Sequence, residues 1–300
     1  MTNSIEIIFL GTGSAVPTIK RNHPSVFVKY KDENMLFDCG EGTQRQIRKA
    51  HLNPCRLTRI FITHWHGDHV LGIPGLLQTL YFNDCRRTLE IYGPSGTKRY
   101  VEQIMKIFAS VGQINIKIHE VSSGKIVETE DFIITAEQMK HGTPCLAYAF
   151  AEKDKIRINR DKIAKLKLPN SPLMQNLKQG KDITIDGKKI KAKEVTYTES
   201  GHKVSIVLDT MSNLGIKSIA KNSDIFICES TYLDEDELAK ENYHMTMKQV
   251  AKIAKEAKVK KLILMHLSQR YESNEKNFLA EAKKQFKDVV IAEDLMKINI

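Results

Sequence analysis

Phe61-Ile62-Thr63-His64-Trp65-His66-Gly67-Asp68-His69 is the stretch on which the fold and chemistry of this chain turn. The apolar run Ile60 to Ile62 before it reads as a buried strand. Val70 to Phe82 after it carries apolar residues at helical spacing after a Gly72-Ile73-Pro74-Gly75 start. Three histidines and an aspartate therefore sit where a strand gives way to a helix. His64 and His66 are two apart, so in extended chain both rings leave one side. Asp68 and His69 come off the following turn toward the same space. Four ligand-type side chains in six residues exceed what one ion needs. Neutral imidazole with carboxylate suits zinc, and less tightly manganese or iron. A histidine-rich surface loop is the plain competing explanation, and the strand placement together with the spacing weighs against it.

The length of 300 residues and an apolar content of 41% accommodate one large domain or two modest ones with a substantial core. No apolar run approaches the ~20 residues of a membrane helix. Met1 to Glu6 has neither a basic leader nor a long apolar region, so no secretory signal is expected. The cysteines (Cys39, Cys55, Cys85, Cys145, Cys228) are scattered and make no CxxC pair. The expectation is reduced thiols in a cytoplasmic protein, with no disulfide frame and no cysteine zinc site. Net charge is +10. From Lys153 to Lys193 there are thirteen Lys or Arg against Asp154, Asp161, Asp182 and Asp186, so nearly all the excess charge lies in one segment.

Taken in order, Ile5 to Leu10 reads as a strand entering the loop Gly11-Thr12-Gly13-Ser14-Ala15-Val16-Pro17. With no GxGxxG and no Walker lysine-serine pair, this loop is expected to line a site and not to hold a nucleotide. Lys20-Arg21-Asn22-His23 follows, placed to touch phosphate. Ser25 to Tyr30 and Asn34 to Asp38 read as a strand pair, and Asp38 as a helix cap or a group that orients a ligand histidine. A helix is expected from Thr97 to Ala109, strands over Ile114–Val121, Phe132–Ala136 and Cys145–Phe150, and further strands over Val204–Leu208, Ile225–Cys228 and Leu262–Met265. Thr246 is placed to cap a helix with Gln249 three residues on. Glu152 to Glu194 breaks the rhythm. It is lysine-rich, with a short amphipathic piece at Asp161–Leu168, and is expected to have too little apolar content for a core of its own. It reads as an insertion whose charge suits a nucleic-acid backbone; a solvated charged hairpin is the alternative.

Asp38, His64, His66, Asp68, His69, His141, Asp209, Glu229 and His266 all fall at or just past the C-terminal ends of apolar strands, where sites of layered α/β folds lie. Seven of these groups can hold two metals: His64, His66 and His141 on one ion, Asp68, His69 and His266 on the other, with Asp209 as bridge. Two divalent ions about 3.5–4 Å apart make hydroxide available near neutrality, and Asp68 can aim it. The set is hydrolytic machinery and favours phosphodiesters. The leaving alkoxide needs a proton, and His244 with Glu229 is the candidate pair, because a carboxylate beside a histidine keeps it a donor near neutrality.

His64-Trp65-His66-Gly67-Asp68-His69 is similar to the HxHxDH signature of the metallo-β-lactamase superfamily. The chain more specifically resembles the ribonuclease Z family of tRNA 3′-processing endoribonucleases. The resemblance rests on Phe9–Ser14, Leu36-Phe37-Asp38-Cys39-Gly40-Glu41-Gly42-Thr43-Gln44-Arg45-Gln46, His69–Leu76, His141, Asp209-Thr210, Glu229-Ser230-Thr231, His244-Met245-Thr246 and His266-Leu267-Ser268-Gln269-Arg270. It implies an α/β fold, a four-layer αββα sandwich over residues 1–300 with insertion 152–194 as a protruding tRNA-binding arm. It implies two Zn2+ per subunit, and the donor set leaves Mn2+ as a possible substitute. The activity implied is removal of the 3′ trailer from precursor tRNA by attack of metal hydroxide, leaving a 3′-hydroxyl on the tRNA. Precursor tRNA is the expected partner, a cytoplasmic homodimer the expected state, and neither membrane nor DNA is expected. Asp68 matches the family's general base, and His244 assisted by Glu229 its proton donor. Arg21, Asn22, Lys162, Lys165, Lys167 and Arg270 are the candidate substrate contacts. Three positions depart from the common pattern: Ile19 where a basic residue is usual, Ser171 where glycine often precedes proline, and Leu208 before the bridging aspartate.

Two other classes stay in view. Another binuclear metallo-phosphodiesterase, or an RNA exonuclease of the same superfamily, would use the same metal site, although a small substrate needs no basic segment. A binding protein with a dead site would lack a ligand, and all seven are present.

Overall fold

The computed structural model describes residues 4–107, 114–166, 168–169, 171–185 and 187–300. Two seven-stranded sheets dominate it. In the first the strand order is Lys297–Asn299, Ile5–Gly11, Ser25–Tyr30, Glu33–Phe37, Arg59–Phe61, Leu89–Gly93 and Ile116–Glu120. In the second it is Val289–Ile291, Lys261–Met265, Ile225–Glu229, Lys203–Val207, Cys145–Glu152, Phe132–Met139 and Gly124–Glu128. Each sheet has a parallel run: Glu33–Phe37 through Ile116–Glu120 in the first, Lys203–Val207 through Val289–Ile291 in the second. Parallel strands are covered on both faces, which is why Ile225–Glu229 and Lys261–Met265 are apolar almost throughout.

The four layers follow from which side chains each face buries. Ile47, Leu76, Leu77, Leu80 and Val101, from the helices Thr43–Lys49, Ile73–Phe82 and Thr97–Ile107, cover Ile8, Leu36, Ile60 and Ile91 of the first sheet. Ile216, Ile219, Val250, Ala254, Phe278 and Ala282, from Leu214–Ala220, Met247–Glu256 and Glu275–Gln285, cover Val207, Phe226, Leu262 and Leu264 of the second. Between the sheets the filling is aromatic. Tyr148 meets Phe37 and Phe61 at 6.0 and 5.3 Å, and Tyr30 meets Phe150 edge-on at 5.2 Å. Each such side chain contributes about 1.5–3 kcal/mol by burial. The Tyr148 hydroxyl donates to the Ile62 carbonyl at 2.6 Å, pinning the second sheet to the segment that delivers His64.

Several expectations need correction. The helix expected from Val70 to Phe82 is two pieces, Gly67–Val70 and Ile73–Phe82, and the turn that carries Asp68 and His69 is the first of them. Gly72 marks the break. A Cβ there would meet the Gly40 carbonyl oxygen at 2.1 Å, so only glycine lets the segment after the histidine motif lie against the Asp38–Gly40 loop. The strand Gly124–Glu128 was not anticipated; its alternation is weak at an exposed sheet edge. The helix beginning at Thr97 runs to Ile107, and Phe108 and Ala109 lie outside the described residues. Cys55 and Cys85 are joined as a disulfide, against the expectation of reduced thiols; Cys39, Cys145 and Cys228 are free and buried. The capping box of Thr246 with Gln249 is present.

Residues 129–133 and 151–202 form a second compact unit. It holds two antiparallel pairs, Lys155–Ile158 with Thr196–Glu199 and Ile183–Ile185 with Lys188–Ile190. Short helices span Arg160–Lys165, Met174–Lys178 and Ala192–Val195. The expectation that this segment lacks a core is corrected. Met174, Leu177, Ile183, Ile190, Ala192 and Val195 bury their side chains together, with Ile158, Ile163 and Leu168 packed on them. The apolar residues are spaced too widely along the sequence to read as one cluster.

Candidate metal centre

Three side chains of the centre leave the backbone at strand ends in an uncommon way. Asp38, Asp209 and His266 each lie one or two residues past a parallel strand, with φ of 56°, 44° and 58°. Left-handed backbone at non-glycine residues is uncommon and concentrates at functional sites, at about 1–3 kcal/mol each. Here it turns each chain sharply at the sheet edge. Hydrogen bonds hold the turns: Asp38 N donates to the Phe61 carbonyl at 2.9 Å and His266 N to the Thr12 carbonyl at 3.0 Å. The latter also ties the Gly11–Ser14 loop to the site.

Among the described residues the ligand-type atoms gather into three groups, each with its donor atoms within 4.8 Å of one another: His64, His66, His141 and Asp209; Asp68, His69, Asp209 and His266; and Glu229, His244 and His266. Asp209 belongs to the first two. Its Oδ2 lies 3.3 Å from His69 Nε2 and 3.7 Å from His64 Nε2, and its Oδ1 lies 3.1 Å from His266 Nε2. Asp68 Oδ2 lies 3.3 Å from His69 Nε2 and 3.5 Å from His266 Nε2. Buried polar atoms normally find partners, yet His64 Nε2, His69 Nε2, His266 Nε2 and Asp209 Oδ1 have no hydrogen bond and all face this space. A donor set of imidazole nitrogens and carboxylate oxygens fits zinc or a similar divalent ion.

The far nitrogen of each buried ring is held. His64 Nδ1 is 3.0 Å from Thr63 Oγ1, His69 Nδ1 2.7 Å from Asp38 Oδ2, His141 Nδ1 3.1 Å from the Tyr243 carbonyl and His266 Nδ1 3.0 Å from Thr231 Oγ1. At His64, His69 and His266 such contacts favour the tautomer that leaves Nε2 bare, whereas His141 Nε2 lies 3.1 Å from His66 Nδ1. Asp38 is therefore the orienting group of its two sequence-level readings, and it also accepts from Thr63 N and Oγ1, both at 2.7 Å.

Burial pushes the pKa of His64 well below the usual histidine value, helped by the neighbouring His69, and burial also lowers that of His141. Burial works against His69 too, but the Asp209 and Asp38 carboxylates overrule it and raise its pKa well above normal. For Asp68 the cost of burial is outweighed by the neighbouring His266 and His69 rings, which hold its carboxyl below the usual carboxylate range.

The Glu229–His244 pair adjoins this space. Glu229 is fully buried, and its Oε1 lies 3.0 Å from His244 Nδ1 and accepts from Thr210 N at 2.7 Å. Burial by itself would lower the pKa of His244, but the carboxylate raises it to about 9. A cavity of about 270 Å³ is lined by His66, Asp68, His141, Asp209, His244 and His266, with Tyr232 and Ser14 also on its wall.

The remaining predicted contacts are scattered. Arg21 is buried, and its guanidinium donates to Glu275 at 2.8 Å, Thr12 at 2.7 Å and the Ala292 carbonyl at 2.6 Å, contacts that brace the fold. Asn22 donates through its side chain to the Glu41 carbonyl. Arg270 lies over the Tyr232 ring at 5.4 Å, beside the cavity. Lys162 and Lys165 are exposed on the helix Arg160–Lys165, and Lys167 lies outside the described residues. The second unit carries a hollow of about 810 Å³ lined in part by Tyr197 and by Arg157, Arg160 and Lys178, basic positions that sequence reasoning did not single out. It gave no role to Thr231, quoted only within Glu229-Ser230-Thr231, and missed Tyr243, whose only sequence signal is adjacency to His244.

The chain is similar to known proteins along its whole length. A ribonuclease Z from Methanosarcina acetivorans is 39% identical over 99% of this chain and 98% of that protein. One from Nanoarchaeum equitans is 41% identical over 96% of this chain and 91% of that protein. The crystal structure of human tRNase Z, short form (ELAC1), superposes with a TM-score of 0.71 at 27% identity, covering 98% of both chains. A family described as Anti-Pycsar protein Apyc1 matches residues 5–171.

Proposed function

The chain belongs to the ribonuclease Z family of tRNA 3′-processing endoribonucleases, and on that premise we propose that it removes the 3′ trailer from precursor tRNA in a zinc-dependent cut. The single observation that carries this is the convergence of two four-residue ligand groups beside the buried Glu229–His244 pair. His64, His66, His141 and Asp209 would hold one ion, and Asp68, His69, His266 and the shared Asp209 the other. Bound there, two divalent cations bring the pKa of water toward neutrality and offset charge developing on phosphoryl oxygens.

The rest of the chemistry belongs to side chains. Asp68, ionised at neutral pH, accepts a hydrogen bond from the attacking water and aims it at phosphorus. The new P–O bond forms as the bond from phosphorus to the tRNA 3′-oxygen breaks. His244, kept protonated by Glu229, gives its proton to that leaving 3′-oxygen, so the tRNA ends in a 3′-hydroxyl and the trailer keeps the phosphate. The basic unit containing residues 151–202 grips the tRNA body. Zinc as the physiological metal and a homodimer complete this view and rest on the family resemblance, Mn2+ as a substitute on the donor chemistry, and a cytoplasmic location on the scatter of the cysteines; among the described residues no helix is long and apolar enough to cross a membrane.

A second reading is another binuclear metallo-phosphodiesterase of different substrate, which would use the same ligand set; the family described as Anti-Pycsar protein Apyc1 matches only residues 5–171. That span holds His64, His66, Asp68, His69 and His141 but ends before Asp209, Glu229, His244 and His266, whereas the ribonuclease Z relatives span all of them. The test is cleavage of a 3′-extended tRNA by the zinc- and manganese-loaded protein, with the ends mapped. One cut at the tRNA–trailer junction is expected. A ladder of trimmed ends would make it an exonuclease. No cleavage of RNA beside rapid hydrolysis of a small phosphodiester would overturn the proposal.

A further inference from the structure

We propose that Thr231 is a positioning residue whose hydroxyl links the ligand His266 to the Glu229–His244 pair; this rests on the function proposed above. Thr231 is 4% exposed and its Oγ1 has three neighbours: Glu229 Oε2 at 2.6 Å, His266 Nδ1 at 3.0 Å and His244 Nδ1 at 3.3 Å. A hydroxyl has one proton to give and two lone pairs to receive with. A carboxylate only accepts, so the proton goes to Glu229. What remains on Oγ1 is acceptor capacity, and His266 must then be the donor through Nδ1–H. That choice leaves His266 Nε2 bare, the buried atom with no hydrogen-bond partner that faces Asp209 Oδ1 at 3.1 Å. His244 Nδ1 lies closer to Glu229 Oε1, at 3.0 Å, and its proton belongs there.

One oxygen thus fixes the tautomer of a ligand and one arm of the carboxylate that holds the proton donor. The backbone supports the arrangement, since Ser268 N donates to the Thr231 carbonyl at 3.2 Å and keeps the segments after Glu229 and Met265 side by side. Glu229 Oε2 has only the longer contacts from Thr231 N and Met245 N, both 3.4 Å, to replace the hydroxyl. Loss of the hydroxyl therefore frees His266 and Glu229 together.

Two variants separate this role from packing. Thr231→Val keeps the shape and removes the hydroxyl; Thr231→Ser keeps the hydroxyl and removes a methyl. Zinc binding by the full-length protein, measured against a chromophoric chelator without RNA, should weaken about 10–100-fold for one of two ions in Thr231→Val and stay near wild type in Thr231→Ser. With precursor tRNA at saturating zinc, kcat should fall in Thr231→Val while KM holds. Wild-type zinc affinity and kcat in Thr231→Val, or equal damage in both variants, would overturn the assignment. If Thr231→Val does not fold, nitrogen-15 NMR of the metal-free wild type decides: an Nδ1–H tautomer at His266 supports the link and an Nε2–H tautomer refutes it. A wild type that binds two zinc ions yet leaves precursor tRNA intact would undo the proposed function while the zinc titration still judged Thr231.

Discussion

His69 and Asp38 are joined by a 2.7 Å hydrogen bond from Nδ1 to Oδ2, with both side chains sealed from solvent. The same carboxylate accepts from Thr63 N and Oγ1, so Asp38 holds both the strand end that delivers His64 and the ring of His69. Asp38→Ala would strand three buried donors, at about 1–3 kcal/mol for each left unsatisfied. The expected outcome is a lower Tm and zinc affinity reduced about 10–100-fold. Asp38→Asn, which keeps the shape, should recover part of the stability but not the affinity. Chelator competition beside thermal melts checks both.

His244 sets the alkaline side of the activity profile. The donor is the protonated ring, so cleavage should persist below its pKa and fall as pH rises through about 9. Glu229→Gln removes the charge that raises this value, and the limb should move to lower pH. The sign for stability follows: the folded pKa exceeds the ordinary value of 6.5, so the pair stabilises fully below about 6.5 and loses that contribution toward about 9. His244→Ala should lower kcat about 10²–10⁴-fold with two metals still bound. Metal analysis that found an ion lost would make His244 a ligand.

Much of this centre was legible in the sequence because each ligand follows a strand end, and strand ends can be read from apolar runs. His64, His66, Asp68, His69, His141, Asp209 and His266 fall into the two groups that spacing and chemistry suggested. The partners of the far nitrogens were less legible. Thr231 and the Tyr243 carbonyl reach their rings across 35 and 102 residues of sequence, and a backbone carbonyl carries no signature in a residue type. Arg21 misled because a basic residue on a glycine-rich loop resembles a phosphate contact until Glu275, 254 residues away, is seen to neutralise it.

Tyr243 offers a test of backbone geometry. Its φ is 58°, its carbonyl accepts from His141 Nδ1, and its ring is about half exposed. The side chain costs strain that glycine would relieve. Tyr243→Gly should keep zinc affinity and lower Tm little. Tyr243→Val, with a branched Cβ in the left-handed region, should destabilise by about 1–3 kcal/mol and loosen His141. Equal behaviour of the two variants in melting and chelator titration would remove the geometric explanation.

The Cys55–Cys85 disulfide closes a loop of sequence separation 30 that contains the whole His64–His69 motif. Cross-linking a loop of that size stabilises by about 3–4 kcal/mol in the chain-entropy account. Cys55→Ser, or reduction with dithiothreitol, should lower Tm. Activity at temperatures well below the transition should hold, because neither cysteine lines the metal cavity. Melting curves with and without reductant, paired with a rate at low temperature, separate the two effects.

The second unit supplies the strongest test of how RNA is held. It has its own buried cluster and its own strand pairs, and its hollow is lined by Arg157, Arg160 and Lys178. Backbone binding by such residues releases counterions, so the logarithm of affinity falls with the logarithm of salt by about 0.7–0.9 per phosphate contact. Deleting 153–193 should therefore weaken precursor tRNA binding and flatten its salt dependence. Hydrolysis of bis(p-nitrophenyl) phosphate, which has no RNA body to grip, should survive. Arg160→Ala with Lys178→Ala is the milder version and should reduce the slope by one to two contacts. Equal loss on both substrates after the deletion would mean that the segment supports the metal centre and does not grip RNA.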